Sequence, residues 1–296
     1  MNTTSVNEID PTSRAVLVTL FSFSSVAGSI GNTLSMYCLW KANKTMGSAV
    51  KLLMALNAGE TVSCVFITSY QGFAIYKNFT HLAFGYLTLN ILCAIASWYS
   101  SIIMFLIALN RYIQTKYIRR HNFIFSKSRV AWLIAVTSLF CFVVPLHMYT
   151  GIYVYAAIID QLISITIMIS MPTLYVLLYK RMMQAHRRVC NAENNRFTLK
   201  VLRNVLILIS EFYIFRLPTF LITILYLFFG KERLNFLLMT RIGSLCISIS
   251  ACVNPVVYVL LDKSYHNVLK NLLCSCKRKV ESSDTIQCQA KVQKIL

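Results

Sequence analysis

Seven long apolar runs divide this chain, at residues 15–40, 50–75, 83–114, 129–149, 155–183, 199–228 and 236–261. Each is long enough to cross the roughly 30 Å hydrocarbon layer of a bilayer as a helix. In lipid a backbone N–H or C=O finds no water, so a spanning run must be helical or part of a closed barrel. These runs are too long, and too uniformly apolar, for strands. The predicted fold class is therefore an all-α membrane protein, a seven-transmembrane helix bundle. Composition agrees: 57% of the 296 residues are hydrophobic and only 13% charged, about half the charge share of a soluble domain. Seven spans and short loops consume residues 15–261, between an N-terminal segment 1–14 and a tail 262–296. No length remains among them for a separate soluble domain.

The formal charge of +19 would suit a nucleic-acid binder if it formed one patch. It is instead distributed over gaps on alternating sides of the apolar runs. Of the 29 basic residues, 23 fall in the gaps containing Lys41 to Lys51, Arg111 to Arg129 and Lys180 to Arg203, or from Lys263 onward. By the positive-inside rule those gaps face the cytoplasm, which puts residues 1–14 outside and the tail inside. A multi-pass protein of the plasma membrane is expected. Met1 to Arg14 is short and polar, so no cleavable signal peptide is read there. The sequons at Asn2 and Asn78 fall on the predicted outer side and are expected glycosylation sites, whereas the one at Asn43 faces inward. The ten cysteines lack the spacing of a zinc site.

Two short motifs carry more information. The seventh run ends Asn254-Pro255-Val256-Val257-Tyr258. A proline inside a helix frees the carbonyl four residues back and bends the rod, and Asn254 is placed to bond the opened turn. The third run ends Leu109-Asn110-Arg111-Tyr112, which sets an arginine at the inner membrane edge. Taken singly, these are a kink and a snorkelling anchor.

Together, in this order among seven runs, they resemble the rhodopsin-like family of G-protein-coupled receptors over the whole chain. Gly31-Asn32 resembles the family's pair in the first span, Trp132 and Pro172 the marks of the fourth and fifth, and Phe212 and Pro218 those of the sixth. The resemblance implies that Arg111 and Tyr112 meet a heterotrimeric G protein, with Phe212, Pro218, Asn254, Pro255 and Tyr258 transmitting activation. It also implies a polar core of Asn32, Glu60, Ser100 and Asn254 in which Glu60 holds a sodium ion. Otherwise no cofactor is expected. A carboxylate in mid-membrane needs a proton, a cation or a partner in any case.

The departures from the family pattern are specific. Glu60 stands where the family usually has Asp. Asn110 replaces the acid beside the arginine, so that ion pair is missing and ligand-free signalling is expected. Arg216 replaces the family's toggle tryptophan and requires a counter-charge, for which Glu60 and Glu211 are the candidates, or an anionic ligand. Tyr86 replaces the cysteine of the outer disulfide, and the loop from Met148 to Tyr155 has no cysteine. A short cysteine-free outer loop is similar to the melanocortin and lipid-receptor branches.

The expected ligand pocket is lined by Cys93, Ala96, Ser97, Asp160, Ser164, Arg216, Phe220 and Ser248. With Cys93 in place of the amine receptors' acid, and Ser248 in place of the opsins' lysine, neither an amine nor retinal is expected. The ligand is an extracellular small molecule, lipid or peptide. Beyond the seventh run, Ser264 to Leu273 reads as an amphipathic helix lying on the inner leaflet. Cys274 and Cys276, beside Lys277-Arg278-Lys279, are expected palmitoylation sites. No nucleophile–base–acid constellation or phosphate loop is seen, so an enzyme is not expected. The alternatives are a receptor-like scaffold that does not couple, and a transporter with Glu60, Glu211 and Arg216 along its path. Against the transporter, no two runs repeat each other.

Overall fold

The computed structural model describes residues 10–42, 47–76, 83–147, 153–188, 207, 210–211, 213–222, 224–225, 236–261 and 267–271. All regular structure among them is helical. In chain order the helices are α1 (Pro11–Ala42), α2 (Ser48–Val62), α3 (Ser69–Tyr76), α4 (Ala83–Lys116), α5 (Ile118–Ile124), α6 (Lys127–His147) and α7 (Tyr153–Arg188). Then follow α8 (Tyr213–Ile222), α9 (Phe236–Leu261) and the short α10 (267–271). Every apolar run read from the sequence carries helix. Three stretches, Pro11–Ala42, Ser48–Phe66 and Lys127–Val144, are long and apolar enough to cross a membrane among the described residues.

Helix α1 starts four residues before the apolar run because its first turn is built for it. Asp10 accepts hydrogen bonds from the backbone N–H groups of Thr12 and Ser13, each at 3.0 Å, and Pro11 occupies the first helical position, where its missing N–H costs nothing. The bonds from Ser13, then Thr12, hold the Asp10 carboxyl below its ordinary value.

Helices α2 and α3 form one rod joined by a π-helical turn, Ser63–Thr68. A π turn disturbs the regular backbone ladder. Here the Cys64 carbonyl accepts the Ser25 hydroxyl of α1 at 2.8 Å and that of Ser69 at 3.4 Å. The turn also meets α1 closely: a Cβ on Gly28 would lie 2.4 Å from the Cys64 sulfur.

Pro172, inside α7, removes the N–H that would have bonded the Met168 carbonyl. The Tyr213 hydroxyl of α8 donates to that carbonyl at 2.6 Å, so a break in one helix becomes a joint to the next.

The largest apolar core joins Leu52 and Leu56 of α2, Ile103 and Ile107 of α4, Val130 of α6 and Met171 and Tyr175 of α7. A second cluster sets Leu17 and Phe21 of α1 against Ile75 and Leu245. At the other end of α1, Cys38 and Leu39 pack with Val268 and Leu269 of α10. The outward faces are apolar too. Phe23, Val26 and Ile30 on α1, and Trp132, Leu139 and Phe142 on α6, are each more than half exposed. Stripes of this kind suit a hydrocarbon solvent and are a liability in water.

Gly59 lets α2 approach α4. A Cβ there would stand 2.4 Å from the Tyr99 ring, whose hydroxyl is tied to the Ala55 carbonyl at 3.2 Å. Gly59→Ala is expected to cost about 1–3 kcal/mol through overpacking, read as a lower melting temperature of the detergent-purified protein. The same substitution in a Tyr99→Leu background is expected to cost clearly less; an equal cost would refute this account of the contact.

Candidate functional site

The buried polar residues converge between α1, α2, α4, α8 and α9. Helical spacing places them: Asn57 and Glu60 are three residues apart on α2, Ser97 and Ser100 three apart on α4, and Ser250 and Asn254 four apart on α9. Each pair therefore shares one face of its helix. Asn32, Asn57, Glu60, Ser100, Ser250 and Asn254 are all at most 2% exposed.

Asn32 ties two helices. Its Nδ2 donates to the Gly28 carbonyl on its own helix and to the Ala251 carbonyl of α9, both at 2.8 Å. Ala251 lies four residues before Pro255, so its carbonyl is the one that the proline frees. The sequence suggested that Asn254 would close this turn. In the structure Asn32 does so from the neighbouring helix, and neither polar side-chain atom of Asn254 has a partner among the described residues. A bond across helices also fixes their spacing, which a bond within α9 would not.

Two carboxylates and one guanidinium occupy the centre. Glu60 is 2% exposed, Glu211 4% and Arg216 7%. Arg216 donates from Nη1 to the Ser97 hydroxyl at 2.8 Å. The Ser100 hydroxyl bonds the Glu60 carboxylate, and the Ser250 hydroxyl donates to Glu211 Oε1. Both acids act electrostatically on Arg216. Oε1 of Glu60, Oε2 of Glu211, Nε of Arg216 and Oδ1 of Asn32 lack partners among the described residues. The group is thus rich in acceptors and, with all members ionised, formally carries one negative charge.

The remaining expected pocket residues are not all brought to this centre. Ser248 is buried on α9, where it bonds Thr68 at 3.2 Å and the Ser244 carbonyl at 3.0 Å. Ala96, Ser97, Pro218 and Phe220 are half-buried. Cys93, Asp160, Ser164 and Tyr258 lie on described helices, but their side chains are outside the described residues, as are Asn2, Asn78, Phe212, Cys274 and Cys276 altogether.

At the far end of α4, Arg111 is exposed and Tyr112 half-buried. Asn110 beside them is a hub that sequence reasoning treated only as a missing acid. Its Oδ1 faces the Ser48 hydroxyl at 3.3 Å and His121 Nε2 at 2.9 Å. One neutral carboxamide thereby holds together α2, α4 and α5. Nothing in the local sequence pairs Asn110 with His121; only the fold of α5 back onto α4 does so. The ammonium of Lys116 lies over the rings of Tyr112 and Tyr117, at 5.4 and 4.8 Å.

No protein-family model matches the chain. It is similar in part to curated receptors. Against the C5a anaphylatoxin chemotactic receptor 1 of Homo sapiens it is 30% identical over 95 residues, 31% of this chain and 27% of that protein. Against the same receptor of Rattus norvegicus it is 31% identical over 90 residues, 29% of this chain and 26% of that protein. The Macaca mulatta receptor is 30% identical over 95 residues, 31% and 28% of the two chains. The matched stretch thus spans about a quarter of these relatives' length. The relatives matched in this stretch are receptors by name, and three helical stretches among the described residues are long and apolar enough to cross a membrane.

The Asn32 bridge makes a testable claim. Asn32→Ala strands the buried Ala251 carbonyl, at an expected cost of about 1–3 kcal/mol. The readout is a lower melting temperature and reduced surface expression. A variant as stable as the wild type would mean that another donor closes the Pro255 turn.

Proposed function

We propose that this chain is a rhodopsin-like receptor of the plasma membrane, with its N-terminus outside. It carries an extracellular ligand signal to a heterotrimeric G protein inside. The observation that carries the reading is Arg111, exposed at the end of α4 in the same chain in which the Asn254-Pro255 break of α9 is bridged to α1 by Asn32. An exposed guanidinium at an inner helix end offers a fixed charge and five donors to a partner's polar chain end. A proline break braced from a neighbouring helix is a joint that can change shape without stranding a carbonyl. The seven apolar runs then form a seven-helix bundle, with the ligand entering at the end opposite Arg111. Asn2 and Asn78 carry glycans, and Cys274 and Cys276 carry palmitate next to α10.

Asn110 bears on the resting state. With no carboxylate beside it, Arg111 has no local acid to break away from, and the Asn110 carboxamide is engaged with Ser48 and His121 instead. The inactive state is therefore held less tightly at this end, and output without added ligand is the expected consequence.

A non-coupling scaffold is the second reading, favoured by Arg216, which is anchored to Ser97 where the family's toggle tryptophan would stand. Expression with a panel of G-protein dissociation sensors separates the two. Ligand-independent output is expected in the wild type and is lost in Arg111→Ala at matched surface expression. Identical traces for both proteins on every sensor would leave the scaffold reading in place.

A further inference from the structure

Two thiols meet where α1, the π turn and α9 pack against one another. A Cβ on Gly28 of α1 would stand 2.4 Å from the Cys64 sulfur and 3.1 Å from that of Cys252. Both sulfurs therefore occupy the space that the glycine leaves open, and the two thiols hydrogen-bond each other. Cys252 has two carbonyl acceptors for its own proton, Ser24 of α1 at 3.1 Å and Ser248 at 3.3 Å.

A second contact shows that helix register sets this pairing. Thr68 and Ser248, four residues on in the α2–α3 rod and four residues back in α9, bond each other at 3.2 Å. Rod and helix thus run antiparallel and meet again about one turn away. Ser25 of α1 holds the Cys64 backbone through its carbonyl at 2.8 Å. With the backbones fixed in this way, the sulfurs have only to close from hydrogen-bonding distance to the roughly 2 Å of an S–S bond. Cys64 is fully buried and Cys252 half-buried, so a small uncharged oxidant meets Cys252 first.

We propose that Cys64 and Cys252 form a reversible disulfide, made by a peroxide, that clamps α9 to the π turn of the α2–α3 rod. The Cys252 sulfur attacks one oxygen of hydrogen peroxide. The O–O bond breaks, the departing hydroxide leaves as water with the thiol proton, and Cys252 becomes a sulfenic acid. The Cys64 sulfur then attacks the sulfenic sulfur, and the hydroxyl leaves with the Cys64 proton as a second water. Two thiols lose two electrons in all, and one peroxide is reduced to two waters. Before oxidation this junction rests on hydrogen bonds; afterwards it is covalent. The bond closes a loop from the second apolar run to the seventh, and long loops are those in which a cross-link constrains the unfolded chain most. The switch does not depend on G-protein coupling.

The test treats the folded, detergent-purified full chain with hydrogen peroxide, removes the excess with catalase and blocks remaining thiols with N-ethylmaleimide before digestion. Non-reducing mass spectrometry is expected to find a peptide linked through Cys64 and Cys252 that dithiothreitol separates. The oxidised protein is expected to melt about 4 °C or more above the reduced one. Cys64→Ala and Cys252→Ala each abolish that shift, whereas Cys246→Ala, on the same helix as Cys252, keeps it. Should either variant fail to fold, the linked peptide and the melting shift of the wild type decide the matter. Recovery of Cys64 and Cys252 unlinked after peroxide, as alkylated thiols or as separate sulfenic or sulfinic acids, would overturn the proposal. So would linkage of either to a different cysteine, a shift that survives Cys252→Ala, or a linked peptide with an unchanged melting temperature.

Discussion

A carbonyl that loses its N–H partner inside an apolar bundle finds no water to replace it, and much of this structure follows from that constraint. Pro255 frees the Ala251 carbonyl and Pro172 frees that of Met168. In both cases the donor comes from a neighbouring helix, Asn32 of α1 and Tyr213 of α8. The π turn at Ser63–Thr68 follows the same logic, with Ser25 reaching across from α1 to the Cys64 carbonyl. Each irregularity in one helix thereby becomes a fixed contact with another. In water these breaks could be solvated separately and would not specify which helices pack together.

The charged centre obeys the same rule at higher stakes. Arg216 brings α8 to Ser97 of α4, and Glu211 brings the residues before α8 to Ser250 of α9. Glu60 places α2 beside Ser100. Buried charges are poor sources of net stability, because desolvation offsets much of their attraction. They are strong determinants of register, because a misplaced helix leaves an ion without a partner. A receptor that shifts helices against one another would keep such groups where the shift occurs, and the proposed signalling role is consistent with their position between α4, α8 and α9.

A large part of the fold was legible in the chain. Apolar run length located helix in all seven runs, and the run at 236–261 coincides with α9. The start of α1 was missed by four residues because Asp10-Pro11 is a polar capping signal outside the apolar pattern. The π turn was also unread. Ser63 and Ser69 mark it only weakly, since its stability comes from Ser25 on a different helix. At the candidate site, Glu60, Asn32, Ser100 and Arg216 stood out as polar residues in apolar surroundings, and Glu211 was foreseen as a counter-charge. The Asn110–His121 contact was invisible, because it depends on how α5 folds back.

The sequence by itself determined the helical class, the apolar faces and the presence of two carboxylates and an arginine where lipid or packed side chains must surround them. Those properties are local: each follows from run length or residue type against the cost of burying polarity. Tertiary structure alone decided who partners whom. Asn32, not Asn254, closes the Pro255 turn, and Arg216 bonds Ser97 of α4 while Glu211 turns to Ser250 of α9. Such pairings need atoms far apart in the chain to come within about 3 Å, and only the packing of the helices sets those distances.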